Sequence, residues 1–181
     1  MLKKSALILS VILSLNAISK AQESCKASLS DAPVLFGLKL GMSLAQAQAV
    51  LGARLKIKPM KIGEGSFFQN FIDRPAPSNL SGVRALFLRF FEHKLYQIEV
   101  FYEDRNEWKT LGDFTSSLSA NLNLAANAWN TRNGVATISC GEFILTADKI
   151  LNAHIELTDD ASLTQFKKSR PQKSAKKRDR N

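Results

Sequence analysis

The chain has 181 residues, with 25 Lys and Arg against 16 Asp and Glu for a formal net charge of +9, and only two His and two Cys. That inventory is too thin for a clustered-ligand metal domain, and the length fits one domain with a real core. The basic excess excludes less than it promises, because it sits at the ends: the segment 22–166 carries 14 basic and 15 acidic residues, so the body is neutral.

At the start, Lys3 and Lys4 precede an apolar run from Ala6 to Leu15 and a small-residue site, Ser19-Lys20-Ala21. This predicts a secretory signal peptide over 1–21, cleaved near Ala21, because the run is well short of the roughly 20 apolar residues a membrane span needs. The product is expected to be periplasmic or secreted. In that oxidising setting Cys25 and Cys140 are expected to pair as a disulfide tying the N-terminal arm to a late strand. A lipid anchor on Cys25 does not fit, since Gln22-Glu23-Ser24 is no lipobox.

Pro33 to Leu40 reads as a short strand or buried connector, broken by Gly41. Ser43 with Gln46 forms a capping-box pattern, Leu44, Ala47 and Leu51 share a helical face, and Gly52 suits the closing position. Arg54 to Met60 alternates basic and apolar residues and predicts an edge strand. Gly63 to Ser66 is a turn into Phe67, Phe68 and Phe71, without the Gly-Lys-Ser/Thr ending of a phosphate loop. Asp73 to Gly82 is a proline-containing loop with a formal glycosylation sequon at Asn79.

The strongest pattern is Val83 to Tyr102, a hairpin turning at Glu92-His93-Lys94. Leu86, Leu88 and Phe90, then Tyr96, Ile98, Val100 and Tyr102, form its apolar face; Phe87, Arg89, Phe91, Gln97, Glu99 and Phe101 form a mixed opposite face. A second helix is expected up to about Leu122, burying Trp108, Leu111, Phe114 or Thr115, Leu118 and Leu122. After a loop at Asn130 to Gly134, three runs (Val135 to Cys140, Glu142 to Ala147, Ile150 to Thr158) predict an antiparallel meander. The expected fold class is α+β: a single domain over 22–166, built of two pseudo-repeated units, each a helix followed by an antiparallel meander, with helices on one face of the sheet.

Leu38-Lys39-Leu40-Gly41-Met42-Ser43, then Ala47 and Leu51-Gly52, then a hairpin returning through Leu95 and Ile98, resembles the SmpA/OmlA-type domain of outer-membrane β-barrel assembly lipoproteins. A similar helix-plus-sheet unit is duplicated in β-lactamase-inhibitor-protein-like folds. The resemblance covers about residues 38–102 and implies an extracytoplasmic fold that works by binding. Three departures (no lipobox, Ala53-Arg54 where proline is frequent, a second helix-sheet unit) leave no functional residue to carry over.

No catalytic, cofactor-binding or metal-binding set is legible. His93 sits at a hairpin tip, and His154 points outward beside Glu156 with no spaced partner, so both are expected to be solvated. No nucleophile-elbow, zinc-protease or dinucleotide motif occurs. The end of the chain, 167–181, holds Lys167, Lys168, Arg170, Lys173, Lys176, Lys177, Arg178 and Arg180 against Asp179 and no large apolar residue. It is expected to be a disordered tail that attaches to an anionic surface such as lipid headgroups or cell-wall polymer. No aromatic is interleaved, so specific nucleic-acid recognition is not indicated. The expected function is non-catalytic binding of another extracytoplasmic protein; the alternative is an extracytoplasmic hydrolase or small-ligand-binding protein whose site is assembled from distant residues, with His154, Glu99 or Asp104 converging on a pocket.

Overall fold

A computed structural model describes residues 26–53, 55–62, 64–73, 76–103 and 108–169; the expected signal segment, Cys25 and everything beyond Ser169 lie outside these. Helix α1 (Leu44–Leu51) forms where the cap chemistry puts it. The Gln46 amide donates to Ser43 Oγ at 3.3 Å and the Ser43 amide donates to Gln46 Oε1 at 2.8 Å, satisfying two donors that the first turn otherwise leaves open. Ahead of it, Leu35 and Leu38 bridge each other, and the chain is pinned to a later strand by Gly41 N–H to Leu95 O (2.7 Å) and Leu95 N–H to Met42 O (2.8 Å). The segment 33–40 is thus a buried connector.

Eight strands follow: β1 (Met60–Ile62), β2 (Gly65–Phe71), β3 (Val83–Phe91), β4 (Lys94–Tyr102), β5 (Asn130–Arg132), β6 (Val135–Cys140), β7 (Phe143–Asp148) and β8 (His154–Asp159). Between β4 and β5 lies α2 (Leu111–Leu122), and α3 (Asp160–Ser169) follows β8. All eight strands join one antiparallel sheet in the order β1-β2-β3-β4-β8-β7-β6-β5.

This overturns the expected two helix-plus-meander repeats with helices on one sheet face. Among the described residues the protein is mostly one sheet accompanied by three short α-helices. The reason lies in the pairing of β4 with β8, which matches Gln97 through Phe101 with Thr158 through His154 and leaves no boundary between units. The helices also divide. Ala47 and Leu51 of α1 and Phe114 and Leu118 of α2 join the main core with Leu86, Leu88, Ile98, Val100, Leu145, Ile155 and Leu157, whereas Phe166 of α3 belongs to a separate cluster with Phe91 and Tyr96.

A bulge between Arg89 and Phe90 pairs Phe90 with Leu95 and Arg89 with Gln97. The extra residue sends Leu95 into the main core and Tyr96 to the other cluster, correcting the expected inward Tyr96. Phe166 sits 5.8 Å from the Phe91 ring and 5.6 Å from Tyr96, over Gly65, where a Cβ would meet the Phe166 ring and the Phe90 carbonyl at 2.9 Å. Any side chain at Gly65 would therefore lift α3.

Two further expectations change. Residues 55–59 are not a strand, although Leu55 and Ile57 are buried as the alternation requires. Gln48 takes the place of a neighbouring strand: its Nε2 donates to Gly52 O (2.8 Å) and Leu55 O (2.9 Å), and its Oε1 accepts from Ile57 N–H (2.6 Å). Residues 130–132, expected as loop, form the short strand β5. With β1 and β5 three residues each, both sheet edges are short, which limits pairing with other chains.

Helix α2 is capped by Thr110 and Asp113. Thr110 N–H donates to Asp113 Oδ2 at 2.8 Å, and this bond, with the Thr110 hydroxyl contact, holds the Asp113 carboxyl below its ordinary range. A lowered folded-state value stabilises the fold above the ordinary carboxylate range, and the gain disappears as pH falls through the folded value. Asp113→Asn should accordingly melt slightly lower than wild type at pH 7 and equal to it in strong acid, as followed by thermal denaturation across pH.

Candidate functional site

The outer face of the sheet, opposite the main core, is set by register. One row runs Phe67, Arg89, Gln97, Thr158, Ile144 across β2, β3, β4, β8 and β7. The next runs Gln69, Phe87, Glu99, Glu156, Thr146, and beside it Phe101, His154 and Asp148 stand in line. Residues far apart in sequence thereby converge near the middle of the sheet.

Their polar atoms pair in three neighbouring groups: Gln97 with Glu156 and Thr158, Arg89 with Glu99, and Asp148 with His154. Glu156 Oε1 accepts from Gln97 Nε2 at 2.5 Å and from Thr158 Oγ1 at 2.9 Å. Arg89 Nη2 lies 3.0 Å from Glu99 Oε1, and its guanidinium carbon is 5.2 Å from the Phe67 ring centre. Asp148 Oδ2 is 3.1 Å from His154 Nδ1, and the imidazole stacks on Phe101 with ring centres 4.3 Å apart and planes 15° apart. Because an ionised carboxylate only accepts, this contact puts a proton on Nδ1, and in the neutral tautomer so fixed the lone pair is on Nε2. That Nε2 is buried and has no hydrogen-bond partner among the described residues; the same holds for Arg89 Nε.

Glu99 is 7 % exposed. Burial pushes its carboxyl above the ordinary glutamate range, opposed by the Arg89 charge and reinforced by the neighbouring Glu156 carboxylate. A nitrogen of His154 and one carboxylate oxygen from each of Glu99 and Glu156 lie within 4.8 Å of one another. The expectation that His154 is a solvated side chain without partners is thus corrected, while His93 is exposed as expected. Asp104, the other residue considered for a distant-residue site, lies outside the described residues. Sequence reasoning placed Glu99, His154 and Glu156 on outward positions but had no way to know that β4 pairs with β8; the His154–Asp148 pairing was in principle readable from a hairpin register between β7 and β8.

A concavity of about 720 Å³ opens away from this face, where Phe36, Tyr102 and Trp108 form an aromatic wall and Asp113, Ser117 and Asn121 of α2 a polar rim. Phe36 adopts φ +55, a left-handed conformation that costs free energy for an aromatic residue.

Cys140 ends β6, is 5 % exposed and is not a free thiol, and its expected partner Cys25 lies outside the described residues. Lys167 and Lys168 are not part of an irregular tail: they form the last turn of α3, exposed and placed where cations favour a helix C-terminus. Arg170, Lys173, Lys176, Lys177, Arg178 and Arg180 lie outside the described residues. No helix among the described residues is long and apolar enough to cross a membrane.

Fold and site together define a class: a single antiparallel sheet with its main core on one side and a half-buried polar and aromatic face on the other. No family model, curated protein or solved structure matches the chain.

Proposed function

We propose that this chain is a non-catalytic extracytoplasmic binding domain that takes a protein partner on the outer sheet face. The observation that carries the reading is the face itself. Two sets of paired polar side chains, Gln97–Glu156–Thr158 and Arg89–Glu99, lie among Phe67, Phe87 and Phe101, a mix of aromatic anchors and prearranged polar groups suited to protein recognition. The signal-peptide pattern and the resemblance to SmpA/OmlA-type domains support the compartment and the binding role. N-terminal sequencing of the exported chain should begin at Gln22.

The test of the binding reading compares wild type with Phe87→Glu, which puts a charge in the middle of the aromatic row without touching the core. Cross-linking in an envelope extract should give a discrete adduct with wild type and none with Phe87→Glu, both melting at similar temperature. Equal adducts from both, or none from wild type, would sink the reading.

A second reading, small-ligand binding, is favoured by the cleft at Phe36, Tyr102 and Trp108, whose volume falls in the range of ligand sites. The tail is a separate binding element in our reading, acting by charge alone. A chain ending at Ser169 keeps α3 and Phe166, so it should unfold at the same temperature as the full chain yet elute from an anionic resin at lower salt. Identical elution would remove the role assigned to Arg170 through Arg180.

A further inference from the structure

We infer that Glu99, His154 and Glu156 form a binding site for one divalent cation of the zinc class, with Asp148 orienting the histidine. Three features of the geometry carry this. First, the donors are of the right kind and already close: imidazole nitrogen and two carboxylates within 4.8 Å of one another. A tetrahedral zinc site with bonds of about 2.0–2.2 Å needs donors about 3.4 Å apart, a closure within reach of glutamate side-chain rotation.

Second, each ligand is left with an unused atom. Glu156 and Glu99 spend Oε1 on Gln97, Thr158 and Arg89, and their other oxygens carry no hydrogen bond to the described residues. His154 spends Nδ1 on Asp148, and Nε2 is buried with no partner among those residues. A carboxylate bonded to one imidazole nitrogen fixes the tautomer and raises the basicity of the other, the arrangement by which outer-sphere carboxylates support metal-bound histidines. If the face were only a structural ion-pair network, a buried lone pair would be a cost without compensation.

Third, the charges do not balance. Three carboxyl groups, Glu99, Glu156 and Asp148, gather around one guanidinium, Arg89, an acidic surplus that a bound divalent cation would offset. Three protein ligands leave a fourth position for water or for a side chain of a bound partner. The inference concerns the isolated chain and does not depend on the binding reading above.

The experiment uses the full mature chain, stripped with chelator and titrated with Zn²⁺ by calorimetry while histidine nitrogens are followed by NMR. We expect one ion per chain, with a dissociation constant of about 10 μM or tighter, and a large shift of the His154 resonances with those of His93 unmoved. His154→Gln and Glu156→Gln should abolish uptake, and Asp148→Asn should weaken it by about 10- to 100-fold. No saturable uptake by wild type, or uptake that leaves the His154 resonances in place, would overturn the assignment. The NMR readout on wild type decides the matter even where a variant fails to fold.

Discussion

Leu157→Ala should lower the unfolding free energy by about 2–5 kcal/mol while the protein still melts in one transition. Leu157 is fully buried in β8, paired across to Ile98 of β4 on one side and Leu145 of β7 on the other. Its truncation removes a transfer contribution of about 2 kcal/mol and adds the cost of whatever cavity its neighbours do not fill. The location makes the result informative beyond its size. In a chain of two helix-plus-meander units the β4–β8 seam would be an interface between separately folding parts, and a cavity there would split the melt. In one eight-stranded sheet the seam is the middle of the core, so calorimetry should record a single shifted peak. Two peaks would argue against the single sheet.

The second large effect is expected at Cys140. If Cys25 and Cys140 pair, closing the loop between positions 25 and 140 stabilises by about 4–5 kcal/mol in the chain-entropy model, and about 2–4 kcal/mol is typical of measured bridges. The described part of the arm supports the geometry. Glu142 N–H donates to Ala27 O at 3.4 Å, Leu29 N–H donates to Glu142 Oε2 at 2.7 Å, and a Cβ on Gly141, at φ +49, would meet the Ala27 carbonyl at 2.7 Å. The arm two residues after Cys25 is thus docked beside the turn that follows Cys140. Cys140→Ser, Cys25→Ser and the double variant should all lose the same increment, and reductant should bring wild type to their level. A wild-type melt indifferent to reductant would remove the bridge from the account.

Local chemistry was readable wherever a residue's conformation is fixed by its near neighbours. Ser43 and Gln46 announce α1, and the alternation of Leu86, Leu88 and Phe90 against Ile98 and Val100 announces the β3–β4 hairpin, because caps and pleats impose their own spacing. What escaped was set at long range. The inward turn of Leu95 depends on a bulge that no composition signals, and the irregular stretch 55–59 depends on Gln48 reaching across from α1. Helix α3 was hidden because Asp160 to Ser169 reads as polar, with Phe166 its single buried residue. The candidate site escaped for the same reason as the architecture: Glu99 and Glu156 become neighbours only when β4 pairs with β8.

The central claim is that the outer sheet face is the surface through which this domain binds. A photo-cross-linking residue placed at Phe87 or Thr146, on that face, should capture a partner in the envelope, whereas the same residue at exposed Ala45 on α1 should not. Capture from Ala45 with none from Phe87 or Thr146 would contradict the account.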